Sequence, residues 1–190
     1  MNQIAPRIIL TRILPHAYMA LGYYLWVSDY KHALGQSVFT GKFATDLPAK
    51  VEIDYLEFSI GEGSLTAFRK FNDFFAGEKI IDGKKKRQSD DIFVTDFFPN
   101  FPVCRFLKDS EVIQINKTVA HLTSFTSPAE SDHLNIIDIT GRFIDVFSVF
   151  CEYVVKAEST MIPDDIAQIA EGFSAQLTAY KSTLNQTHRA

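Results

Sequence analysis

The chain has 190 residues, 46% of them hydrophobic and 13% aromatic, which is enough to bury the core of one domain and too apolar for a disordered chain. Nineteen basic residues against 23 acidic ones leave a formal charge of -4, which excludes an overall footprint for gripping a nucleic-acid backbone; any such contact has to be local. Cys104 and Cys151 have no close-spaced partners, which argues against a disulfide framework or a thiolate metal site, and both read as small core residues of a cytoplasmic protein.

The first element runs from Ile8 to about Ala33, with apolar positions nearly all round, as in a helix packed on more than one side. Arg12, Pro15 and His16 interrupt it, so the longest clean run, "AYMALGYYLWV", is roughly half of the ~20 residues that span a bilayer. No small-residue cleavage site follows to suggest a secretory signal. The expectation is therefore a buried first helix and no membrane role. "LGQSVFTGKFATDL" (34–47) reads as a connection, and Pro48 suits a first helical turn.

"PAKVEIDYLEFSI" places Val51, Tyr55 and Phe58 at helical spacing. "GEGSLTAFRKFNDFFAGEK" then repeats Leu65, Phe68, Phe71, Phe74 and Phe75 every three or four residues, a helix with an aromatic face that Gly77 ends. Whether 48–76 is one helix or two broken at "GEG" is open, because two interior glycines cost about 2 kcal/mol that a packed neighbour could offset. Arg69 and Asp73, at i and i+4 on that helix, form either a structural ion pair or a polar wall to a site at His121.

"KIIDGKKKRQSDDIF" is the most loop-like part of the chain. Its run Lys84, Lys85, Lys86 and Arg87 reads as a solvated tip, and Asp90, Asp91 and Asp96 as solvated carboxylates rather than metal ligands. Pro99 and Pro102 exclude a long helix over "DFFPNFPVCRF". Asp109 is a fair N-cap for "SEVIQINKTVAHLTSF", with Glu111 in the first turn and Pro128 as the stop.

A helix over 131–157 follows, with Leu134, Ile137, Ile144, Phe147, Val154 and Val155 as core candidates. The last helix, behind Pro163, repeats Ile166, Ile169, Phe173, Leu177, Tyr180 and Leu184. No strand of clean alternation and no internal repeat are found. The fold class is all-α: one domain over 1–190, a bundle of about five or six helices with a long central loop, an N-terminal helical extension over 1–40 and a C-terminal helix over 163–188.

The helix carrying "INKTVAHLT" holds the most pointed chemistry. At 100° per residue, Val112, Ile115, Val119 and Leu122 fall within about 80° of each other and form its core stripe. His121 lies about 140° from the middle of that stripe and shares a second face with Lys117 and Ser124, its i−4 and i+3 neighbours. It therefore does not point into its own core, and is either exposed without a role or set at an interface or cleft.

"SLTAFRKFNDFF" (64–75), "DDIFVTDFFP" (90–99) and "INKTVAHLT" (115–123) together resemble blocks of bacterial proteins of the HEPN class, in particular the abortive-infection-associated branch. The resemblance covers about 60 residues and implies a core over 48–158 that is a four- or five-helix bundle dimerising through its motif helices, here 110–125. It needs no cofactor or metal, and many members are metal-independent RNases. His121 then matches the catalytic histidine and Asn116 the polar residue of the motif, but the arginine slot is Ile115. In metal-free RNA cleavage the histidine works at the 2′-hydroxyl while the arginine holds the phosphate, and isoleucine can do neither. Lys117 or Arg69 could supply a cation from elsewhere, though lysine lacks the bidentate fork.

The expectation is thus a nuclease-inactive dimerisation or binding module, with RNA or a partner protein as its target, in a defence or stress system. The competing expectation is an RNase using His121 with an atypical cation. Arg69, Asp73, Lys117 and Ser124 are the binding residues of either reading. No Ser-His-Asp order, Gly-rich phosphate loop, CxxC or HExxH pattern is present.

Overall fold

The computed structural model describes residues 6–25, 49–77, 79–81, 84–86, 91–120 and 134–187. Within them the chain is an all-α helical bundle. A wide π turn, Ile9–Ile13, leads into α1, Leu14–Leu25; α2 is Ala49–Ala76, α3 the single turn Val94–Phe97, α4 Asp109–Ala120, α5 Ile136–Lys156 and α6 Asp164–Thr187. The π turn ends two residues before Pro15, whose ring would meet the Thr11 carbonyl four residues back in a regular α-helix; the wider turn accommodates it. The expected continuation of this first helix to Ala33 lies outside the described residues.

One correction concerns the central loop. Lys79–Ile81 (β1) and Lys84–Lys86 (β2) pair antiparallel, Ile80 opposite Lys85. The sequence signal for it is the Asp82-Gly83 pair between the two runs, the kind that favours two-residue hairpins and that alternation alone does not reveal.

The core is built on α2 and α5. The α2 rings of Phe68, Phe71 and Phe75 meet Phe143 and Phe147 of α5, with Phe71–Phe143 centroids 5.2 Å apart and Phe75–Phe147 at 6.0 Å. Tilted and edge-on contacts dominate, as the ring quadrupole prefers. Phe97, Phe98, Phe101 and Phe106, from the proline-bearing stretch, close the same cluster. α6 enters through Phe173, which touches Phe147 at 5.5 Å and Tyr18 of α1 at 4.8 Å. α1 is thus packed on more than one side, as its composition implied, although Tyr18 and Met19 stay nearly half exposed.

α2 passes unbroken through Gly61-Glu62-Gly63, which decides the question the glycines left open. The neighbour that holds it is α1. Ser64, fully buried, donates from Oγ to the Met19 carbonyl and accepts the Tyr23 N–H, each at 3.0 Å. Those are the two α1 groups that pair with each other at i→i−4 in a helix, so one α2 hydroxyl bridges an α1 turn. Gly77 ends α2 in the left-handed region at φ +67°, a conformation that favours glycine.

Several core expectations are corrected. Val155 and Ile169 are 39% and 48% exposed, because α5 and α6 each bury one face only. The α5 core instead uses Ile139, Phe143, Phe150 and Cys151 beside Ile144, Phe147 and Val154, while Leu134 and Ile137 are partly buried. Cys104 is exposed, not a core residue. The extended segment around it turns Phe101 and Phe106 inward, so Cys104 points away, and its backbone N–H bonds the Phe75 carbonyl at 3.0 Å.

Candidate functional site

α4 is held from two sides. From α2, the fully buried Asn72 accepts the Leu107 N–H at 3.0 Å and fixes the approach to α4. One turn earlier, Arg69 donates from Nε to Asn116 Oδ1 at 3.3 Å while also pairing with Asp73. From α5, Arg142 donates to both carboxylate oxygens of Glu111, at 2.6 and 3.0 Å, to Asp138 at 3.3 Å, and to the Phe106 carbonyl.

Glu111 in turn accepts the Lys108 N–H at 2.7 Å. The start of α4 is therefore capped by Glu111 reaching back three residues, and not by Asp109 as the sequence suggested. Burial works to raise the Glu111 pKa, but the Arg142 bonds and the Lys108 N–H favour the carboxylate and prevail, so it lies below the ordinary value.

The candidate site residues divide as follows. Ile115 is 1% exposed and belongs to the core stripe, with Val112 partly buried beside it. Asn116 and Lys117 are exposed, and Lys117 has no ion-pair partner among the described residues. His121 and Ser124 lie outside the described residues. Arg69 and Asp73 form the expected i,i+4 ion pair, with side chains 23% and 19% exposed. The structural reading of that pair is the one seen, and Arg69 also reaches Asn116, whereas a polar wall to the His121 site falls on a residue outside the described ones.

This arrangement brings together Arg69, Asp73 and Asn116 across 47 residues of sequence, with Lys117 adjacent. Its one arginine is compensated by a carboxylate at its own helix face, so a phosphate approaching Asn116 meets a neutralised pair. Ile113, the residue three before Asn116 and four before Lys117, shares the outward face of α4 and is 54% exposed. Sequence periodicity could have found Ile113, which lies outside the apolar stripe. Arg142 carried no such signal, because its partners are 31 and 36 residues away.

Among the described residues no cluster of His, Cys, Asp or Glu could hold a metal ion, and Asp96 is engaged in accepting the Phe93 N–H at the start of α3. Nor is any described helix long and apolar enough to cross a membrane. Comparison with family models, curated proteins and solved structures finds no match to this chain.

Proposed function

We propose that this protein is a HEPN-like helical module that works through the outward face of α4, pairing with a second copy of itself or with another chain, and that it does not cleave RNA. The observation that carries the reading is the inverted placement of two isoleucines on α4. Ile115, in the motif's arginine slot, is sealed in the core, whereas Ile113 is 54% exposed beside Asn116 and Lys117. A β-branched apolar side chain outward on a polar helix face suits a contact that excludes water. A bacterial defence or stress system is the setting the resemblance suggests, and the cytoplasm the compartment.

The test is sedimentation equilibrium of the purified protein beside Ile113→Asp. A dimer that becomes a monomer in the variant, with the helical circular dichroism unchanged, is the expected result. A wild-type monomer that retains no partner chain through α4 would sink the reading.

A second reading has one specific observation in its favour. Arg69 reaches Asn116, so an arginine does stand beside the polar residue of the motif, supplied by α2 in place of position 115. On that reading the protein is a metal-independent RNase using His121 and Asn116, with Arg69 as the cation. Incubation of a mixed pool of structured and single-stranded RNA without added metal, wild type beside His121→Ala and Arg69→Gln, separates the two. Cleavage lost in both variants would establish the nuclease, and intact RNA at high protein concentration would leave the binding module.

A further inference from the structure

A second place in the molecule combines an apolar floor with positive charge that has no carboxylate partner among the described residues. Between the first helix and α2 lies an open groove of about 270 Å³. Its floor includes Ile13, Phe71 and Phe74, each 8% exposed or less. Its polar lining is Arg12, His16 and Lys70, with no acidic residue among the described ones. Arg12 and Lys70 are exposed, and neither has a carboxylate partner among the described residues. His16 donates from Nδ1 to the Arg12 carbonyl at 2.8 Å, which fixes its tautomer and leaves Nε2 as its remaining polar atom. Arg12 and Ile13 sit on the π turn, a local geometry frequent at functional sites.

The chemistry of the occupant follows from this lining. Two cations and a histidine over aromatic and aliphatic side chains suit a molecule with one anionic end and an apolar body. An arginine offers a carboxylate two parallel N–H bonds, and a lysine adds a point charge. At about 270 Å³ the groove falls just below the ~300–1,000 Å³ of pockets for drug-sized ligands, so the body is short, on the order of ten non-hydrogen atoms. We infer that the groove between the π turn and α2 binds a small amphipathic carboxylate of the medium-chain fatty-acid class, headgroup against Arg12 and Lys70, chain over Phe71 and Phe74. This site is separate from the α4 face, since Lys70 points about 100° away from Arg69 around α2.

Octanoate is the probe, with octanol as the neutral molecule of equal length. Titration followed by calorimetry and by amide shifts of ¹⁵N-labelled protein is expected to give a dissociation constant of about 0.1–1 mM for octanoate. The largest shifts should fall at residues 12–17 and 70–74. Octanol should bind roughly tenfold more weakly, and Arg12→Gln/Lys70→Gln, which alters two exposed side chains, should weaken octanoate by about tenfold while leaving octanol unchanged. Equal binding of octanoate and octanol would remove the headgroup from the account and overturn the proposal, as would no octanoate shift up to about 10 mM, roughly ten times the upper end of the expected range. Sedimentation with phosphatidylglycerol vesicles that is lost in the double variant, without an octanoate shift, would assign the groove to a membrane surface and equally overturn it.

Discussion

Replacing Arg142 by methionine removes the α5 side of the clamp on α4 while keeping much of the stem's packing. The bonds lost are two to Glu111, one to Asp138 and one to the Phe106 carbonyl. A hydrogen bond to a charged group contributes about 1.5–3 kcal/mol when well buried, and an exposed ion pair about 0–1 kcal/mol. Here Arg142 is 27% exposed and Glu111 14%, whereas Asp138 at 51% adds little. The Glu111 and Phe106 contacts, discounted for solvent, therefore amount to about 2 kcal/mol. For a chain of this size that is a fall of roughly 4–8 °C in melting temperature.

The pH dependence sharpens this prediction. The Glu111 pKa is depressed below the ordinary 4.5 in the folded state, so its contribution is fully present above about pH 4.5 and is lost as pH falls from there through the lower folded-state pKa. The stability difference between wild type and Arg142→Met should be constant at neutral pH and shrink below about pH 4.5. Urea denaturation of wild type, Arg142→Met, Glu111→Gln and the double variant should give a coupling energy of about 1 kcal/mol or more. Additivity within about 0.3 kcal/mol, together with a pH-independent difference, would refute the clamp.

The glycines make opposite predictions. Gly172→Ala, inside α6 where an added Cβ meets nothing within 4 Å, should stabilise by about 0.5–1 kcal/mol, whereas Gly77→Ala, at φ +67° with a Cβ only 3.2 Å from Val103 Cγ1, should destabilise by about 1 kcal/mol or more; thermal melts check both signs. Ser64→Ala should cost only about 1 kcal/mol, because Met19 O and Tyr23 N–H, four residues apart in α1, serve each other as helical partners without the hydroxyl, and a loss above about 3 kcal/mol in urea would show that they depend on it. Of the two thiols, Cys104 should react with a disulfide reagent in the native protein, and Cys151, fully buried and with its pKa pushed up to about 12, only after unfolding; simultaneous labelling at neutral pH would contradict the packing of α5.

What the sequence by itself determined is the set of helices and most of their inward faces. Spacing of three and four residues put Phe68, Phe71, Phe74 and Phe75 on one side of α2, and Phe173, Leu177 and Leu184 on one side of α6, and all are buried. Gly77, Pro99 and Pro102 mark stops for reasons confined to their own φ angles and missing N–H groups. Such signals are local, because helical periodicity relates residues at most a few turns apart. Only the tertiary structure decided that α2 runs through Gly61-Glu62-Gly63, since the bonds between Ser64 and α1 bridge more than forty residues. It alone decided that Ile169 and Val155 lie outward, because a helix pattern does not say how many faces its neighbours cover. The meeting of Arg69 with Asn116, and of Arg142 with Glu111, is likewise invisible in either segment: each side chain is ordinary for its own helix, and the contact exists because the aromatic core brings those helices to one side.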